Sequence, residues 1–116
     1  MAKVQRGTIY KTDGNIVKVQ PVNGKKFDYK ELQLAVGGYI ESLIPGIKGC
    51  RQMFANEEGL IHRLPPNPHT DDVVNLKVYR LNGYGPGWRV SGNIIAILSE
   101  EPSDEVLPDV YHAFGK

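Results

Sequence analysis

The chain has a single cysteine, Cys50, so no disulfide can form within it and its stability must come from burial alone. At 116 residues it is long enough to close one core without such staples. Long hydrophobic runs are missing as well. The most apolar stretch, Ile94-Ile95-Ala96-Ile97-Leu98, is far shorter than the roughly 18 residues that span a bilayer, so no membrane partner is expected. Nor is there an excess of either charge. Fourteen Lys+Arg stand against thirteen Asp+Glu, for a formal charge of +1. That balance gives no general attraction to a phosphate backbone and confines any nucleic-acid site to a local patch. Met1-Ala-Lys-Val lacks the apolar segment of a secretory signal, which sets the expectation of a cytoplasmic protein. What remains is ordinary: 41% hydrophobic and 23% charged residues, a composition that excludes wholesale disorder.

Local patterning predicts an α+β domain. Asp13-Gly14-Asn15 sits between two β-branched runs, residues 4–12 and 16–22, and reads as a hairpin turn. In the second run Ile16 and Lys18 share one face and Val17 and Val19 the other, which suits a sheet with one wet side; Pro21 makes this an edge strand or ends it. Lys25-Lys26-Phe27 reads as a short return strand. Asp28 stands three residues before Glu31, the capping-box spacing, and Leu32, Ala35 and Val36 form one apolar stripe ahead of Gly37-Gly38. This predicts a helix over Asp28–Val36 that must lie on a sheet, because two to three turns are marginal alone.

Further strands are expected at Tyr39–Ile44, at Cys50–Ala55, with Arg51, Met53 and Ala55 on one face, and in an extended run Leu60–Leu64. Two more are expected at Val73–Leu81 and Trp88–Leu98, the last placed centrally because its apolar run suits a strand covered on both faces. Pro65-Pro66-Asn67-Pro68 forbids regular structure, and His69–Asp72 continues as a surface loop. In the tail, Val106-Leu107 and Val110-Tyr111-Ala113-Phe114 either dock on the body, dock on another subunit, or fray.

No catalytic set stands out. His62 and His69 match no common zinc spacing, so no metal ligands are assigned. Cys50 opens a strand, where a buried thiol is the ordinary occupant. Gly83-Tyr84-Gly85-Pro86-Gly87 lacks the Lys-Ser/Thr ending of a phosphate loop and reads as a connection. Beside it, Arg80, Tyr84, Trp88 and Arg89 have the chemistry to stack a flat ring and neutralise a phosphate. They are the candidate ligand edge. The same aromatic-basic mixture suits a single-strand nucleic-acid platform, though no ribonucleoprotein-like motif is present.

Three ordered motifs, Leu32-Gln33-x-x-Val36-Gly37-Gly38-Tyr39-Ile40-Glu41, Asn56-Glu57-Glu58-Gly59 and Leu64-Pro65-Pro66-Asn67, resemble an uncharacterised family common in phages and mobile elements, domain of unknown function 3846. The resemblance covers about residues 28–98 and ends in the glycine-plus-apolar strand from Ser91. It implies a small α+β core with no established catalytic motif, to which the hairpin (4–22) and the tail (99–116) look like additions.

The expectation is therefore one domain over residues 1–116. Its antiparallel or mixed sheet has about five to seven strands, with one short helix packed on it. If the Asn56 turn and the Asn67 bend fold together, Asn56, Glu58, Arg63 and Asn67 line a polar pocket with Tyr39 nearby. The leading functional expectation is a non-enzymatic binding protein without a cofactor. It would act on a host protein, as a host-defence antagonist for example, or sequester a small ligand. A nucleotide binder or hydrolase and a single-stranded nucleic-acid binder are the alternatives, and self-association is one of the three fates open to the apolar tail.

Overall fold

The computed structural model describes residues 3–102 and 105–114. Within them the first hairpin closes where Asp13-Gly14-Asn15 predicts: Asn15 N–H donates to the Asp13 carboxylate at 2.8 Å and Lys11 N–H to Asn15 O at 2.9 Å. The turn joins β1 (Lys3–Tyr10) to β2 (Ile16–Val19). With β3 (Ile40–Leu43), β4 (Cys50–Asn56) and β5 (Ile94–Pro102), they form one five-stranded antiparallel sheet in the order β2-β1-β5-β4-β3. The fold is α+β. β2 lies at an edge and stops before Pro21, as a residue without an N–H donor requires. β5 lies at the centre.

The central placement of β5 follows from its residues. Ile95 and Ile97 enter one core with Ile9, Val19, Leu32, Ala35 and Val36, while Ile94 and Ala96 enter a second with Leu43, Met53, Ala55, Val73 and Val90. A strand that faces two cores has no use for polar alternation. At the edge the alternation returns: Val17 and Val19 face the first core, and Ile16 and Lys18 face solvent.

The helix α1 (Tyr29–Val36) covers the first core. Its capping box is complete: the Asp28 carboxylate accepts Glu31 N–H at 2.9 Å, and Glu31 Oε1 accepts Asp28 N–H at 3.0 Å. Glu31 Oε2 also accepts Val22 N–H at 3.0 Å, which ties the helix start to the end of the hairpin and explains a carboxylate only 1% exposed. Gly37, at φ 85°, closes the helix by donating to Gln33 O.

Three further helices, α2 (Thr70–Val73), α3 (Leu76–Leu81) and α4 (Val110–Ala113), are each under two turns. Two of them correct the expectation from sequence. Val73–Leu81 is not a strand, and Thr70–Asp72 is not loop. Asn75 caps α3 by accepting Val78 N–H, and Val73, Leu76 and Tyr79, three residues apart, face the second core. Period three prevails over the period-two alternation that the same residues also allow.

Leu60–Leu64 is likewise not extended. It is a coil of turns in which His62 N–H donates to Glu58 O, Leu64 N–H to Gly59 O, and Arg63 takes a left-handed φ of 55°. Trp88–Asn93 precedes the last strand instead of opening it, because Gly92 at φ 97° breaks the extended path before Ile94. Lys25–Phe27 forms no strand, although Lys25 O accepts Gln5 N–H. A register shift between Cys50 and Gln52 moves Cys50 off the Phe54 face and onto the second core.

The described part of the tail docks on the body. Val110 is fully buried in the first core, Ala113 and Phe114 pack against it, and Gln20 N–H donates to Pro108 O at 3.0 Å. Val110, Ala113 and Phe114 thus have an intramolecular home, whereas Val106 is 87% exposed and Tyr111 37% exposed.

Candidate functional site

β4 ends at Asn56, and three segments meet on that side chain. Asn56 Nδ2 donates to Val36 O, at the end of α1, at 3.3 Å, and Asn56 Oδ1 accepts Glu58 N–H at 2.8 Å. Glu57 N–H then donates to Tyr39 O at 2.8 Å, which fastens the turn to the approach to β3. Two glycines allow the close approaches here, Gly38 to Asn56 and Gly59 to Ser91. A Cβ on Gly38 would stand 2.8 Å from Asn56 Nδ2, and one on Gly59 would collide with Ser91 O.

Asn56 separates two open clefts. One, of about 260 Å³, is lined by Gln33, Gly37, Gly38, Tyr39, Glu58 and His62. Here His62 Nε2 meets Glu58 Oε2 at 2.9 Å across one turn of chain. The other, of about 220 Å³, includes Glu41, Leu60, Ile61, Tyr84, Trp88 and Arg89 in its walls. Burial, reinforced by the nearby Glu57, raises the Glu41 carboxyl above its ordinary value.

The aromatic wall is a packed cluster. Trp88 stacks on Tyr79 at 4.8 Å with 20° between planes, and Tyr84 tilts against Trp88 at 4.7 Å and meets Tyr79 edge-on at 5.7 Å. Tyr79 is held in turn by its hydroxyl, which accepts Ile44 N–H at 2.6 Å. Arg89 Nη1 lies 3.3 Å from Asp71 Oδ2, an exposed pair that leaves the guanidinium's remaining donors for a partner.

The residues singled out from sequence therefore divide. Tyr39, Asn56 and Glu58 line the first cleft, and Asn56, Tyr84, Trp88 and Arg89 the second. Arg63 and Arg80 are exposed but line neither. Asn67 is fully buried elsewhere: its Nδ2 donates to Tyr10 O at 2.7 Å and Gly92 O at 2.9 Å, and its Oδ1 accepts His69 N–H at 2.9 Å. The Asn56 turn and the Asn67 bend do not share a pocket. Gln33, Glu41, Leu60, Ile61 and His62 were not singled out. Leu60-Ile61 carried a usable signal, two large apolar residues directly after a turn-forming Gly59, but it was absorbed into an expected strand.

Among the described residues, no three of His, Cys, Asp and Glu converge as a metal site. The Cys50 S–H donates to Gln52 O at 3.1 Å, and burial raises this thiol above its ordinary value, the opposite of what an activated nucleophile needs. No helix among these residues is long and apolar enough to cross a membrane. Comparison of the chain with protein-family models, with curated proteins and with solved structures gives no match.

Proposed function

We propose that this is a small binding protein, of the phage or mobile-element type its motifs resemble, that acts on a partner protein through the surface around residues 56–64. One observation carries the reading: Leu60 and Ile61 are adjacent and 72% and 77% exposed. The exposed Tyr39 and the half-exposed Tyr84 line one cleft each of the same pair, and Trp88 and Arg89 line the second with Tyr84. Contiguous apolar exposure rimmed by polar groups marks interaction surfaces, and Tyr, Trp and Arg are the residues that carry most interface energy.

Cleft size weighs against a nucleotide here. The two volumes fall below the roughly 300 Å³ at which pockets enclose drug-sized ligands. The ring faces a base would use are also partly occupied, since Trp88 stacks on Tyr79.

The test is site-specific photo-crosslinking in cells, with p-benzoylphenylalanine at position 61 and, as a control, at Ile16 on β2, an exposed apolar residue outside both clefts. A discrete crosslinked species from position 61 alone is expected, and Leu60→Ser should abolish it. Crosslinking from both positions alike, or from neither, would overturn the proposal.

A further inference from the structure

A third cleft lies at the opposite end of β4 from Asn56, on the face of the sheet that α1 covers. It measures about 500 Å³, within the range of pockets that hold small organic ligands. Leu32 and Ile97, both buried, form its floor, and the half-buried rings of Phe27 and Phe54 are its apolar walls. The Phe27 ring lies against Gly7, where any Cβ would stand 2.9 Å from Phe27 Cζ, and Phe27 N–H donates to Gln5 Oε1 at 2.9 Å. That wall is set before any ligand arrives.

The rim is polar and cationic: Lys26 and Arg51, with the amides of Gln5 and Gln52. Among the residues whose side chains are described, neither Lys26 nor Arg51 has an ion-pair partner, and no carboxylate lines the cleft. The nearby Asp28 and Glu31 are turned into the capping box.

The sheet itself is bent to build this rim. Both ladders of β5 slip at Leu98: against β1 the register shifts between Val4 and Arg6, and against β4 between Cys50 and Gln52. Against β4 the extra residue is Arg51, while against β1 the extra residue falls on β5, where Ser99 and Glu100 are set against Gln5; Gln5 and Arg51 both line the cleft. Bulges interrupt pairing and re-aim side chains, and they gather beside functional sites. One irregularity in β4 and one in β5, on the two sides of Leu98, put Arg51 and Gln5 on opposite flanks of the cleft.

We infer that this cleft binds a small organic anion with a flat apolar body, the body held between Phe27 and Phe54 and the anionic head met by Lys26 and Arg51. The ligand would carry a carboxylate or a phosphate, because a guanidinium forks onto either and an ammonium supplies the second charge. This site shares no residue with the surface proposed to bind a partner, so either proposal can fail without the other.

The experiment is a titration of the full chain, followed by amide chemical shifts, with 2-naphthoate, phenyl phosphate, 2-naphthylmethanol and inorganic phosphate. A saturable response at residues 26–27 and 51–54 is expected from the first or second probe, whichever head the site prefers. The neutral alcohol and bare phosphate should each bind at least about tenfold more weakly, the loss that follows from one missing charge-assisted contact or from the missing apolar body. Arg51→Ala, on an exposed side chain, should weaken the preferred probe by about tenfold and leave the fold intact. Equal binding of the neutral alcohol, an unchanged affinity in Arg51→Ala, or no response to any probe would overturn the inference.

Discussion

Replacing Asn67 by alanine should cost the protein a large share of its stability while leaving its binding surface intact. The side chain makes three hydrogen bonds, to Tyr10 O at the end of β1, to Gly92 O just before β5, and from His69 N–H ahead of α2. It is fully buried, so no water replaces those partners at the protein surface. The backbone bonds of the same residue, from its N–H to Val90 O and from Thr70 N–H to its carbonyl, survive the substitution. Three net side-chain bonds at about 1 kcal/mol each give a loss of about 3 kcal/mol. Against a total on the order of 5–15 kcal/mol for a domain, that is about a fifth to three fifths of the stability. For a chain of 116 residues it corresponds to a fall of about 12 °C in Tm, at about 4 °C per kcal/mol.

The assay is urea or thermal unfolding followed by far-UV circular dichroism, with Asn67→Asp beside Asn67→Ala. The aspartate keeps an acceptor for His69 N–H but sets carboxylate oxygens against two carbonyl oxygens. At neutral pH it should therefore be no better than the alanine. A ligand contact would behave in the opposite way, with stability kept and binding lost. Losses below about 1 kcal/mol in both variants would refute the pinning role worked out from these bonds.

The remaining predictions concern a charge and a docked tail. The Glu41 carboxyl is raised by burial and by Glu57, so the folded chain holds that proton more tightly than the unfolded chain does. Its contribution to stability is full below its ordinary value of 4.5 and is lost as pH rises through the folded value. Glu41→Gln should therefore raise Tm at pH 7 and make no difference near pH 4; a gain that persists at pH 4 would sink this account. Val110→Ala removes two methyl groups from the first core and should cost about 2 kcal/mol, with the mass in light scattering unchanged from the parent chain. A change in mass instead of stability would place Val110 between copies of the chain.

What could be read from the sequence is what short-range chemistry decides. The capping box of α1, its apolar stripe and its glycine stop involve residues within one another's reach along the chain, and all are present as expected. The centrality of β5 also followed from sequence, because a run without polar alternation has few other places to go. Val73–Leu81 went wrong for a physical reason: over so few residues, periods of two and three fit the same apolar positions, and only packing on the second core selects one. Asn67 went wrong because its partners lie 57 and 25 residues away, so nothing nearby marks it as a structural pin. The cleft beside Arg51 was illegible altogether. It depends on two register slips, and a slip is a property of paired strands that no single segment records.

The turn after β4 carries more than folding asks of it. Asn56 is needed to join the end of α1 to the turn, and Gly38 and Gly59 are needed so that the neighbouring atoms can approach. Arg63 completes the coil in a left-handed conformation that an asparagine or glycine would hold with less strain. None of these constraints reaches Leu60 or Ile61. Their backbone bonds are made by any residue, and their side chains bury little against the body. In water, polar side chains at both positions would serve the fold equally well, and surface substitutions of this kind change stability by no more than about 0.5 kcal/mol. Two large apolar side chains held in solvent by a turn that does not need them are what the proposed partner would cover, and this is why position 61 is where a crosslinker should be placed.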